Sequence, residues 1–116
     1  MNEQNYEQHF QLIVAAGESR TKSMLAIEAA REGRFEDAQR LLNEASDVHV
    51  QAHDLQMEML RKEAEGDPVT VNIIAVHAQD HLTMATLIED IATEQIETYR
   101  RLKALEEQFS EYMRTR

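Results

Sequence analysis

Cysteine and tryptophan are absent from these 116 residues, proline occurs once and glycine three times. Without cysteine there are no disulfide frameworks, cysteine-based zinc sites or thiol nucleophiles. So few prolines and glycines leave too few turns for a sandwich or barrel, which needs one about every 8–12 residues. No apolar run approaches the roughly 20 residues of a bilayer span, and no signal-peptide pattern opens the chain, so the expected compartment is the cytoplasm. Bases are scarce as well: 12 against 22 acids, a net charge of −10. That field repels phosphate backbones and anionic lipid, which excludes nucleic-acid and membrane-surface binding as expected functions and favours a partner with a basic face. The excess lies in residues 1–96, with 7 bases and 18 acids, whereas residues 97–116 hold 5 and 4.

What is present is a 42% apolar content with only 5% aromatics. That suffices for one compact domain over residues 1–116, built from Leu, Ile, Val, Met and Ala. Two breakpoints divide it. Gly33, in Arg31-Glu32-Gly33-Arg34, suits the left-handed position past a helix end, and Glu36 and Asp37 favour the start of the next helix. In Glu65-Gly66-Asp67-Pro68, Gly66 ends a helix, Asp67 is placed to cap another, and Pro68 takes its first position. Three helices are expected, over about 4–32, 35–64 and 68–112. The fold class is all-α, an antiparallel three-helix bundle of the spectrin-repeat kind.

The middle helix sets Phe35, Ala38, Leu42, Ala45, Ala52, Gln56 and Met59 on one stripe, widened by Leu41, Val48 and Leu55. In the first helix Phe10, Ile13, Val14, Gly17, Met24 and Ile27 are expected to do the same, with Gly17 permitting close approach of a neighbour. The β-branched run from Val69 to Val76 resembles a strand, but no second strand exists to pair with it, so it is assigned to the third helix. That helix carries two apolar stripes. One runs through Ile74, Ala78, His81, Ala85, Ile88, Ala92, Tyr99 and Leu102; the other through Ile73, His77, Asp80, Met84, Leu87 and Ile91. A helix of a three-helix hairpin needs one. The second points to another copy of the chain in a coiled-coil-like seam.

His77, Asp80 and His81 interrupt these stripes at spacings that share a helix face. A histidine is suited to nucleophilic or proton-carrying work near neutral pH. Its phosphorylated ring would be high in energy yet transferable, with His81 placed to orient it. Symmetric copies would gather several Asp80 carboxylates, which a divalent cation or a shared proton must reconcile. A competing reading uses His49 and His53, four apart on the middle helix, with His77 and His81 as a transition-metal site. No Glu stands three residues before any histidine, so the Glu-x-x-His pattern of di-iron bundles is missing.

The segment Val76-His77-Ala78-Gln79-Asp80-His81-Leu82, preceded by Ala52-His53 and Ala16-Gly17-Glu18-Ser19-Arg20, resembles the lactose/cellobiose (chitobiose) class of IIA components of the bacterial phosphoenolpyruvate-dependent sugar phosphotransferase system. The likeness spans roughly residues 8–105. It implies a homotrimeric nine-helix bundle and a phosphotransferase component. His77 would accept a phosphoryl group from phospho-HPr and pass it to a cysteine of the partner IIB protein during uptake of a β-linked disaccharide (cellobiose, chitobiose or lactose). It further implies Mg2+ on Asp80, one ion per trimer at the three-fold axis, with His81 as phosphate neighbour and Gln79 in a supporting role. His53 matches a recurrent position whose role stays open. Thr83-Met84 follow Leu82 where the class often has Met-Thr, a change expected to touch packing alone. The stretch from Phe109 to Arg116 runs past the usual end and is expected to fray.

Overall fold

The computed structural model describes residues 3–116, with side-chain surroundings from Tyr6 onward. Three helices follow in order: α1 Glu3–Arg31, α2 Phe35–Ala64 and α3 Ile73–Thr115. They form an elongated body of 72 × 20 × 20 Å. At 1.5 Å per residue α1 and α2 are each about 45 Å long, while the 43-residue α3 is about 65 Å.

Both breakpoints work as the glycines require. Gly33 and Gly66 have φ of 81° and 85°, where a side chain would be strained. Around each, paired bonds close the preceding helix: Gly33 N donates to Ala30 O and Arg34 N to Ala29 O, then Gly66 N to Glu63 O and Asp67 N to Lys62 O. The second closure displaces the expected start of α3. The Asp67 N–H closes α2, no helix begins at Pro68, and Val69–Val71 stay outside the helix, as β-branched residues tolerate. Asn72 caps instead, its Oδ1 accepting from Ala75 N at 2.9 Å. At the other end, the stretch expected to fray remains helical as far as Thr115.

The α2 stripe is buried as its spacing indicates, with Ala38, Leu42, Ala45, Ala52 and Met59 inside. The α1 stripe is not. Phe10, Val14 and Met24 lie outside, and the buried face is Leu12, Ala15, Ala16, Ser19, Ser23, Ala26, Ala29 and Ala30. The reason is the place of α1: it packs equally against α2 and α3, which touch each other far less. A helix wedged between two others needs small residues on a wide face, and Ala and Ser supply them. Gly17 takes no part in that approach, since a Cβ built there meets nothing within 4 Å.

Two clusters fill the bundle. One joins Leu12, Ala16, Ala52, Met59, Ala78 and Leu82; the other joins Ala26, Ala30, Ala38, Leu42, Ala92 and Ile96. Polar ties fix the register between helices. Ser19 Oγ donates to Ala45 O at 2.9 Å, and Lys22 Nζ pairs with Glu44 at 3.1 Å. None of the helices described is long and apolar enough to cross a membrane.

Candidate functional site

The first turns of α3 carry the histidine–aspartate cluster. Asn72 caps the helix, Ala75, Ala78 and Leu82 bury its inner face, and the remaining positions of the same turns are thereby directed outward. His77 and Asp80 are exposed, and His81 is half-buried. The second apolar stripe is uncovered in the single chain: Ile73 is 80% exposed and Leu87 60%, with Met84 and Ile91 also open. His77 and Asp80 therefore sit on an apolar surface that the chain itself leaves bare.

One helical turn apart, His77 and His81 meet edge to face, their ring centroids 4.5 Å apart at 87°. Their Nε2 atoms lie 3.1 Å from each other. With both rings neutral, one of these nitrogens holds the bridging proton and the other accepts it. His81 Nδ1 is buried with no hydrogen-bond partner. A buried N–H without an acceptor is costly, which favours the tautomer with the His81 proton on Nε2. In that tautomer His81 would donate to His77 Nε2 and orient its lone pair, with the His77 proton on Nδ1.

Gln79 points elsewhere. Its Oε1 accepts from Gln56 Nε2 at 2.7 Å, and its amide nitrogen lies 3.9 Å from Met59 Sδ, so it ties α3 to α2. Asp80 borders a groove of about 330 Å³ between the end of α2 and the start of α3. The four-histidine metal site does not form. His49 Nε2 is 2.9 Å from Thr86 Oγ1 and its Nδ1 is 2.8 Å from Glu89 Oε2. Thr86 lies nine residues, about 13 Å along the helix, beyond His77, and His53 is exposed on α2. Among the described residues no group of three His, Cys, Asp or Glu is placed to hold a metal.

Sequence reasoning missed one histidine. His9, on α1, is 1% exposed with neither ring nitrogen partnered, and it lines the same groove as Gln79 and Asp80. The signal was the recurrence of Leu12, Ala16, Ser19 and Ser23 at helical spacing, which extends back to position 9.

Residues 7–100 match the family model described as PTS system, Lactose/Cellobiose specific IIA subunit. The chain is 40% identical over 95 residues to the galactose-specific EIIA component of the phosphotransferase system of Lactococcus lactis, covering 82% of each chain. It is similar to the crystal structure of the cellobiose-specific enzyme IIA from Bacillus anthracis, with a TM-score of 0.87 and 32% identity over 90% of this chain and 95% of that one. The IIA(chitobiose) of the Escherichia coli phosphotransferase system, solved as its complex with HPr, superimposes with a TM-score of 0.74 at 28% identity, covering 85% of this chain and 96% of that one. With the histidine pair on α3, the three-helix fold and a family match over most of its length, this chain belongs to the lactose/cellobiose-specific IIA family and is a component of a sugar phosphotransferase system.

Proposed function

We propose that this chain is the cytoplasmic phosphocarrier that takes a phosphoryl group from phospho-HPr onto His77 and hands it to a cysteine of a IIB partner during uptake of a β-linked disaccharide. The observation that carries the assignment is the exposed His77 ring whose Nε2 faces His81 Nε2 at 3.1 Å. In the first step the N–P bond of the donor histidine breaks as His77 Nε2 bonds to phosphorus. In the second, the thiolate of IIB attacks the same phosphorus, the S–P bond forms, and the His77 N–P bond breaks. His81 keeps its Nε2 proton throughout and turns it from the His77 lone pair to a phosphoryl oxygen. Catalysis rests on alignment of two nucleophiles across a protein contact, since the transition state needs positioning and charge stabilisation rather than covalent help.

The uncovered α3 face supports a homotrimer closed through Ile73, Met84, Leu87 and Ile91. One carboxylate per chain is too few to hold an ion, so Asp80 fits a metal only where three copies share an axis. Its hard oxygen donors suit Mg2+. Bound there, the ion would neutralise three converging charges.

Incubation with phosphoenolpyruvate, enzyme I and HPr is expected to give one acid-labile phosphoryl group per chain, and His77→Ala to abolish it. Undiminished labelling of that variant would remove the assignment.

A further inference from the structure

The first helix carries a second apolar face that the bundle does not use. Its inner face of Leu12, Ala16, Ser19 and Ser23 is buried, and one such face suffices for a helix packed in a bundle. Yet Phe10 is 52% exposed and Val14 67%, one turn apart on the other side. The Tyr6 ring stacks on Phe10 with centroids 6.5 Å apart and prolongs the patch.

Phe10 and Val14, with Leu55 of α2, line a groove of about 690 Å³ between α1 and α2. It runs along residues 7–18 of α1, about 17 Å or three helical turns. A trough of that length with an apolar floor between two helices is shaped for a third. Its edges are acidic. Glu7 and Glu18 stand on α1, Asp54 and Glu58 on α2, and no lysine or arginine lines it. Arg61 pairs with Glu58, whereas Glu18 and Asp54 have no ionic partner among the described residues. Acidic edges around an apolar floor select a helix whose apolar stripe is flanked by Lys or Arg. They also disfavour a second copy of this chain, whose net charge is −10. Position separates the groove from His77. On the α1 wheel Gln11, Val14 and Glu18 lie roughly 180° from His9 and Ala16. His9 shares a groove with Gln79 and Asp80, and Ala16 a cluster with Ala78 and Leu82. The α1–α2 groove therefore opens on the side of α1 turned away from α3, and copies closing over α3 leave it free.

We propose that this groove docks a basic amphipathic helix of a partner other than the phosphoryl donor. The apolar residues of that helix, three and four apart, lie against Phe10, Val14 and Leu55, and its Lys or Arg side chains reach the two acidic edges. The test uses the full-length chain and a fluorescent peptide of about 14 residues, leucine and lysine only, with leucine at helical spacing. A peptide of the same composition with the two residues alternating is expected to bind roughly 10-fold more weakly or worse by anisotropy. Glu18→Lys with Asp54→Lys, and separately Phe10→Ala with Val14→Ala, are each expected to weaken the first peptide by about 10-fold or more. Glu94→Lys with Glu107→Lys, an equal change of charge on α3, is expected to leave its affinity within about 2-fold. Equal loss in that control, or equal binding of the alternating peptide, would reduce the effect to general charge attraction and overturn the proposal. Amide nitrogen-15 shifts are expected to change within residues 7–18 and 51–58; changes confined to α3 would also overturn it. Phosphoryl labelling of His77 by phospho-HPr is expected to be unaltered in both groove variants. Its loss there would make the groove the donor's own docking surface, contrary to the proposal.

Discussion

At the scale of single residues, the chemistry of this chain comes down to which histidine is free to react. Five are present, and their surroundings sort them. His49 is held between Thr86 and Glu89, His53 is exposed on α2, and His9 is sealed in the bundle. His77 alone combines exposure with a neighbouring imidazole nitrogen at hydrogen-bond distance. The face bearing His77, Asp80 and His81 was legible because spacings of three and four residues map directly onto one side of a helix. His9 was not, because Phe10 and Val14, one residue and five residues on, drew the apolar stripe to the wrong side of α1. Weakly hydrophobic Ala and Ser mark the true buried face. With both ring nitrogens unpartnered, His9 lowers stability where it stands. His9→Leu, close in volume, is expected to stabilise the fold by about 1–2 kcal/mol, read as a higher urea midpoint at unchanged slope. A lower midpoint would mean that the imidazole has a partner in the assembled protein.

At the scale of elements, turns were easier to read than starts. Gly33 and Gly66 end helices because their positive φ suits no other residue well. The start of α3 slipped from Pro68 to Ile73, where Asn72 supplies the side-chain cap. Helix pairing also has an ionic part. The Lys22 ammonium bonded to Glu44, with Arg40 beside it, holds the Glu44 carboxyl below its ordinary range. A lowered folded value means stability that is present above the usual carboxylate range and lost as pH falls through the folded value. Glu44→Gln is therefore expected to be less stable than the native chain at neutral pH, with the gap closing on acidification, as followed by urea midpoints across pH. A gap independent of pH would show that the bridge between α1 and α2 contributes nothing through charge. Both partners are partly open to solvent, so the effect is modest and screened by salt.

At the scale of the whole molecule, the described chain does not cover its own third helix. Its longest helix leaves an apolar face bare from Ile73 to Ile91, and then continues past its own bundle. The uncovered face was legible from the doubled stripe on α3, since one hairpin cannot cover both faces. The number of copies was not, because a stripe records what is uncovered and not how many partners cover it. Assembly is assigned to this apolar face rather than to the carboxylates. Asp80→Leu is accordingly expected to keep the oligomer in solution with a chelator present, measured by sedimentation, because exchanging clustered buried charges for apolar groups is often neutral or stabilising. Dissociation of that variant would place the metal and carboxylates at the root of assembly. The acidic body would steer a partner that presents a basic face.

The proposed phosphoryl relay turns on one atom, the Nε2 of His77. Nitrogen-15 spectra of the imidazoles, recorded before and after phosphoryl transfer from phospho-HPr, report on it directly. The expected result is a change at His77 Nε2, with the His77 proton on Nδ1 in both states and His81 protonated at Nε2 throughout. Phosphorylation at His77 Nδ1, or at any other histidine, would contradict it.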